Sequence, residues 1–257
     1  VKAESEAGGG RGFASVVFDC DSTLAAIEGI DELAGEHAAE IRAMTDEAMR
    51  GHVPLEEVYG RRLELIRPTR ERVQTLSREY VETLVPDARE TVAALRYLGK
   101  EVRVVSGGLL PPVEALAAEL GLPAEAVAAV GVAFESDGAY LGFDAASPLA
   151  HSGGKEKVVR EWSLPRPSLL VGDGATDLEA RPAVDAFAAY MGVAIRPNVA
   201  AHADVVLRDP SLAPVLALAA GPDDRVRLDG TEWAVLLRRG DDLLARNSIP
   251  TPKDPGS

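Results

Sequence analysis

One cysteine, Cys20, stands in a chain of 257 residues. A disulfide framework within the chain is therefore excluded, and a lone thiol suits a reducing, cytoplasmic setting. No apolar run reaches the roughly 20 residues that span a bilayer, and no signal-peptide pattern opens the sequence. Basic residues are scarce: 27 Lys plus Arg stand against 41 Asp plus Glu, for a formal net charge of -14. That balance argues against nucleic acid or an anionic membrane as the main partner. It also requires that any anionic ligand be met by local positive charge. The four histidines, His37, His52, His151 and His202, lack metal-ligand spacing and read as surface or core residues. There is no internal repeat and no low-complexity tract.

What is present is apolar material in a particular order. Hydrophobic residues make up 46% of the chain, enough for one large domain or a domain with an insert. The run Phe13-Ala14-Ser15-Val16-Val17-Phe18 reads as a short buried strand, and it ends in Asp19-Cys20-Asp21-Ser22-Thr23. Two carboxylates one residue apart at the carboxyl end of a strand call for a cation, a proton or a phosphoryl group, because burying like charges together is costly. Cys20, between them, reads as a packed residue rather than a nucleophile.

From Thr23 to Pro86 the spacing is helical. One helix carries Ile30, Leu33, Ala34, Ala38, Ile41 and Met44, a second runs over about residues 55–67 before Pro68, and a third presents Val73, Leu76, Tyr80 and Leu84. Strands and helices then alternate. A helix is stopped by Gly99, Val102 to Val105 forms a strand ended by Ser106-Gly107-Gly108, and a helix closes at Gly121. Two short strands flank Asp137-Gly138, a helix begins near Gly154, and Ser168 to Val171 is a buried strand leading into Gly172-Asp173-Gly174-Ala175-Thr176-Asp177. Weaker strands follow at Ala186 to Tyr190 and Asp204 to Leu207. The expected fold is α/β: a Rossmann-like, mostly parallel sheet with helices on both faces, plus a helical cap inserted after the first strand. The core then comprises residues 13–23 and 86–220, the cap residues 24–85, and residues 221–257 form a C-terminal extension read as one or two hairpins with a disordered end. The extension is expected to cover an edge or to contact another subunit.

In a parallel sheet the strand ends share one edge, so Asp19, Asp21, Ser106 with its glycines, Lys155 and the pair Asp173 and Asp177 can converge. Each piece has an ordinary reading by itself: Ser-Gly-Gly as a turn, Lys155 as solvated surface beside Glu156 and Lys157. Neither a Walker loop nor a dinucleotide fingerprint is complete. The ordered set is what carries weight. Four carboxylates and one lysine do not receive a phosphate dianion unaided, whereas a divalent cation such as Mg²⁺ held by Asp19 and Asp173 reverses the sign of the site. The Ser106 hydroxyl and the glycine amides can take phosphate oxygens, where any side chain would block close approach.

The set Asp19-x-Asp21-x-Thr23, Ser106-Gly107, Lys155 and Gly172-Asp173-Gly174-x-x-Asp177 resembles the haloacid dehalogenase-type phosphohydrolases. Glu28-Gly29-Ile30-Asp31-Glu32-Leu33-Ala34, Ala48-Met49-x-Gly51 and Arg62 narrow the resemblance to the phosphoserine phosphatase branch, over about residues 13–220. The resemblance implies that Asp19 is the nucleophile, that Asp21 is the general acid and base, and that Lys155, Ser106 and Gly107 hold the phosphoryl group with Thr176 near it. It implies Mg²⁺ bound by the side chains of Asp19 and Asp173 and the carbonyl of Asp21, with Asp177 in support. It assigns Glu28 to the substrate ammonium, Arg62 to its carboxylate and Met49 to an apolar wall. The activity it implies is hydrolysis of L-phosphoserine to serine and phosphate in serine biosynthesis, in a cytoplasmic enzyme that can form a homodimer. Transfer of the phosphoryl group to another alcohol such as homoserine, or action on a related small phosphoester, stays open at this point. A receiver-type signalling switch is disfavoured by Asp-x-Asp-x-Thr on the first strand and by the helical insert. Gly60 departs from expectation, costing the helix of Arg62 about 1 kcal/mol against a better helix former.

Overall fold

The structure, a computed structural model, describes residues 12–49 and 53–247. The expected loose N-terminus up to residue 11 and the proline-bearing tail beyond residue 247 lie outside the described residues. Eight strands are present among them: β1 (Ser15–Phe18), β2 (Glu101–Leu109), β3 (Val127–Val130), β4 (Val132–Phe134), β5 (Tyr140–Phe143), β6 (Ser168–Gly172), β7 (Ala186–Tyr190) and β8 (Val205–Leu207). Six of them form a parallel sheet in the order β3-β2-β1-β6-β7-β8. Every residue of β1 and of β6 is buried. Successive strand residues face opposite sides, so both faces of the sheet centre are covered.

Among the described residues, four α-helices lie between β1 and Pro86: α1 (Gly29–Glu32), α2 (Ala38–Met49), α3 (Leu55–Ile66) and α4 (Arg70–Glu82). The single helix expected across Ile30 to Met44 is instead α1, a short 3-10 turn (Gly35–His37) and α2, with Gly35 in the left-handed region at φ 52°. α3 stops where Arg67 turns left-handed before Pro68. α4 starts with Thr69, whose hydroxyl accepts the amide of Arg72. Gly60 sits on α3 under the ring of Phe143; an added Cβ would meet that ring at 3.4 Å. The lost helix propensity is offset by close seating on β5.

The rest alternates: α5 (Ala88–Tyr97) and β2, α6 (Leu110–Glu119) and β3, the antiparallel β4-β5 hairpin, α7 (Gly154–Glu161) and β6, α8 (Ala175–Ala180) and β7, α9 (Pro197–His202) and β8, then α10 (Ala213–Ala219). Ser106-Gly107-Gly108 does not end its strand as the sequence suggests. β2 continues to Leu109, and its register against β3 shifts between Val105 and Leu109. Such an irregularity re-aims side chains at a strand's end.

The predicted hairpins after Gly221 are absent; the segment forms α11 (Pro222–Leu228) and α12 (Ala234–Asn247). Pro222 occupies the first turn of α11, and Asp224 accepts the amide of Gly221, both helix-start devices. Arg239-Gly240-Asp241 resembles a turn in sequence, yet Gly240 lies inside α12. A Cβ there would sit 2.3 Å from the Ala213 carbonyl oxygen, so glycine is what lets α12 close on α10. α12 also touches β8, the edge strand. Arg225 pairs with Asp241 at 2.8 Å, Arg239 with Asp87 at 2.8 Å, and Trp233 packs on Tyr97. Deeper in, Lys100 donates to Asp224 at 2.8 Å and to the Phe13 carbonyl at 2.6 Å, its own side chain only 4% exposed.

Two substitutions test this attachment. Asp224→Ala removes both a cap and the partner of a buried ammonium; a loss on the order of 3 kcal/mol is expected in urea denaturation. Gly240→Leu is expected to lower the melting temperature by overpacking, about 1–3 kcal/mol, which outweighs its gain in helix propensity.

Candidate active site

Register explains the convergence. Phe18 of β1 is level with Val104 of β2 and Val171 of β6, so Asp19, the bulged end of β2 and Asp173 emerge side by side at one sheet edge. This is also where the strand order reverses direction, the usual place for a ligand in an open α/β sheet. The loop after β1 is tight: the Cys20 carbonyl accepts the amides of Thr23, Leu24 and Ala25, and Ser22 sits at φ 52°. Cys20 is fully buried, and burial pushes its thiol well up, in keeping with a packed residue.

Asp19, Asp173 and Asp177 are buried, with one carboxylate oxygen from each within 4.8 Å of the others. Lys155, at the start of α7, donates to Asp19 at 2.6 Å and to Asp177 at 2.7 Å. Burial alone would lower the lysine, but Asp177 and Asp19 overcome it and hold it protonated. Burial raises Asp19 well above the carboxylate range, Asp177 adds to the rise, and Lys155 opposes it. Asp173 is pushed up to about 6 by burial, against the pull of Arg196. Three converging carboxylates are an all-oxygen donor set for a hard divalent cation, and such a cation would relieve the repulsion. The residues present fit that group.

Asp21 is arranged differently. Its Oδ1 accepts the Tyr80 hydroxyl at 2.5 Å and the Gly29 amide at 2.7 Å, and its Oδ2 accepts the Ser106 hydroxyl at 3.3 Å. Burial raises its pKa, and these donors temper the rise. A carboxyl group whose proton is favoured by burial and whose oxygens are fixed by donors has the chemistry of an acid/base. Ser106 in turn accepts the Gly108 amide at 2.9 Å. The tight spot in that loop is Gly108, where a Cβ would lie 2.8 Å from Asp21 Oδ2. Gly107 has only an ordinary contact at 3.6 Å, so the close-approach argument holds for one glycine and not for both.

One pocket is lined by Asp19, Asp21, Gly107, Lys155 and Thr176 from the sheet side and by Glu28, Asp31, Tyr59 and Arg62 from the helical segment. Glu28 accepts the Ser22 hydroxyl at 2.7 Å and Arg196 at 3.0 Å; burial lifts it to about 8, and Asp173 and Asp21 contribute. Arg62 is 3% exposed and donates to Thr45 at 2.9 Å, and Thr45 donates to Asp31 at 2.5 Å. Met49 is the last residue of α2, and its side chain falls outside the described residues. His151 is exposed, as its surface reading has it, and also lines the pocket. Beside it, Ser152 ties the loop of Lys155 to α3: it accepts the Leu55 amide at 3.1 Å, and its hydroxyl and amide donate to Glu56 at 2.8 and 3.0 Å.

The sequence reading missed Arg196 altogether. It donates to Asp173 at 2.7 Å and to Glu28 at 3.0 Å, bridging two acids that are 145 positions apart. No motif surrounds it; the available signal was a basic residue just before the helix-starting Pro197, following a strand in an acid-rich chain. Tyr80 was expected only as an apolar-face residue, and its hydroxyl contact with Asp21 has no sequence signature.

Comparison with known proteins agrees with this geometry. The family model for haloacid dehalogenase-like hydrolases matches residues 16–182. Phosphoserine phosphatase of Homo sapiens is 42% identical over 200 residues, covering 76% of this chain and 89% of that protein. The chloroplastic phosphoserine phosphatase of Arabidopsis thaliana is 40% identical over 204 residues, covering 76% of this chain and 68% of that one. A substrate-bound phosphoserine phosphatase complex superposes with a TM-score of 0.69 at 26% identity, over 82% of this chain and 98% of the other. With the family model spanning more than half of the sequence and relatives this similar along most of their length, the chain belongs to the phosphoserine phosphatase branch of the haloacid dehalogenase-like hydrolase family.

Proposed function

We propose that this protein is a Mg²⁺-dependent phosphomonoesterase that hydrolyses L-phosphoserine to L-serine and phosphate. The observation that carries this reading is a single pocket holding Asp19 and Asp21 together with Arg62 and Glu28. The first pair can process a phosphoester; the second can recognise an amino acid. The phosphoserine phosphatases among its relatives point the same way.

In this reading an Asp19 carboxylate oxygen attacks phosphorus, the bond to the serine oxygen breaks, and Asp21 gives that oxygen its proton. Asp21 then takes a proton from the water that cleaves the aspartyl-phosphate. A carboxylate nucleophile divides one difficult displacement into two easier ones, and one acid/base serves both halves. Lys155, Ser106 and Gly107 hold the transferring group, with Thr176 beside it. Asp19, Asp173 and the Asp21 carbonyl would hold Mg²⁺, supported by Asp177, and the cation supplies positive charge to the phosphoryl oxygens. Arg62 pairs with the substrate carboxylate and Glu28 with its ammonium, while Met49 offers an apolar wall.

Residues 24–85 act as a cap over the core of residues 13–23 and 86–220, excluding water before transfer. Residues 221–257 are an extension outside that pair. Among the described residues no helix is long and apolar enough to cross a membrane. A cytoplasmic location and a homodimer complete the proposal, the former supported by the one buried, unpaired cysteine.

Phosphate release from L-phosphoserine is expected with Mg²⁺ and lost in excess EDTA, with an aryl phosphate turned over less efficiently. Turnover of the aryl phosphate alone would leave the core chemistry standing and remove the substrate. Asp19→Asn should abolish turnover of every substrate. Arg62→Ala should raise KM for phosphoserine at least about tenfold while sparing the aryl phosphate; equal damage to both would refute the carboxylate contact.

A further inference from the structure

The wall of the pocket beside Arg62 carries two polar atoms that no described residue satisfies. The Tyr59 hydroxyl and Arg62 Nε are both buried and both lack a hydrogen-bond partner among the described residues. Tyr59 is 1% exposed, and both residues line the pocket. They stand three positions apart on α3 and so share a face of the helix. The Tyr59 ring is fixed from two sides: the Arg62 guanidinium lies 5.5 Å from its centroid, and the Phe143 ring packs against it at 5.2 Å. The ring is therefore held in place in the pocket wall.

A buried phenol without an acceptor destabilises the empty protein. Folded chains rarely keep such groups; the Thr91 and Tyr140 hydroxyls are also unpartnered among the described residues, but only Tyr59 and Arg62 line this pocket. Acidic groups are plentiful around this pocket, yet among the described residues none is a hydrogen-bond partner of the Tyr59 oxygen. Burial keeps the phenol protonated, against the influence of Arg62 and with that of the Asp21 charge, so the oxygen can donate. Two donors three positions apart on one helix face, one of them cationic, are complementary to a group that presents two acceptor oxygens on one carbon.

We propose that Tyr59 is a specificity-determining residue whose hydroxyl donates to the substrate carboxylate alongside Arg62. The inference rests on the phosphoserine reading above and adds a second contact to its amino-acid end. Tyr59 touches neither phosphorus nor the departing oxygen. Its contribution is the same in the bound ground state and in the transition state, so it acts on KM and not on kcat.

The test is Tyr59→Phe, which keeps the ring and removes one oxygen, assayed on L-phosphoserine and on O-phosphoethanolamine, which lacks the carboxylate. KM for L-phosphoserine is expected to rise about tenfold with kcat within about twofold, while KM for phosphoethanolamine stays unchanged. An unchanged KM for phosphoserine, or an equal rise for both compounds, overturns the proposal. The free variant should melt at or above the temperature of the parent protein, because an unsatisfied buried hydroxyl has gone. A lower melting temperature would show that the hydroxyl already has a partner without ligand, and would also overturn it. If the parent protein itself does not prefer phosphoserine to phosphoethanolamine, the failure belongs to the substrate assignment, which the same assay reads separately.

Discussion

Three carboxylates buried within 4.8 Å of one another are the constraint around which this molecule is arranged. Such a cluster is strongly unfavourable unless positive charge is brought to it. The chain brings Lys155 between Asp19 and Asp177 and Arg196 onto Asp173. Each cation arrives on a different element, one at the start of α7 and one just before α9. The sheet register and two connections are thus committed to a single electrostatic problem. Burial still leaves Asp19 and Asp173 with raised pKa values, so neutralisation by the chain alone is incomplete. The three carboxylates form an all-oxygen cluster that could hold a divalent cation, which would relieve that imbalance.

The helical segment is joined to this cluster by polar contacts as well as by packing. Tyr80 of α4 and the first amide of α1 both reach Asp21, and Arg196 from the sheet side reaches Glu28. The acid that would move the proton is therefore oriented from the helices, and the acid that would meet the ammonium is oriented from the sheet. Neither half of the pocket is complete without the other.

The sheet-edge residues were legible in the sequence because each follows a short apolar strand or opens a helix, where spacing has a direct spatial meaning. Asp19, Asp21, Lys155, Asp173 and Asp177 fall at such boundaries, while Ser106 lies inside β2, near the irregular end of that strand. Arg196 and Tyr80 were not legible: their partners lie far along the chain, and nothing local marks them. The extension misled for a different reason. Val226 to Leu228 and Trp233 to Leu237 are short apolar runs separated by Asp229-Gly230 and Arg239-Gly240-Asp241, a pattern that hairpins share. What decides for helix is tertiary: α10 offers a surface that only a glycine-bearing helix can approach, and Lys100 waits for Asp224. At Gly60 the helix over about 55–67 forms as expected, and the cost of its glycine is met by a ring contributed from β5.

Ser152 has a consequence for the order in which the chain assembles. α3 begins at Leu55 after Pro54, which offers no capping side chain, and the hydroxyl that meets its first amide comes from a residue 97 positions later. An isolated segment of residues 53–67 would fray at this end, because its own sequence holds no substitute. Its first turn is completed only when the long connection through β2, β3 and the hairpin has been closed and the Lys155 loop is in place. The start of the pocket wall that bears Tyr59 and Arg62 thus rests on a contact of high sequence separation, the kind that costs most loop-closure entropy.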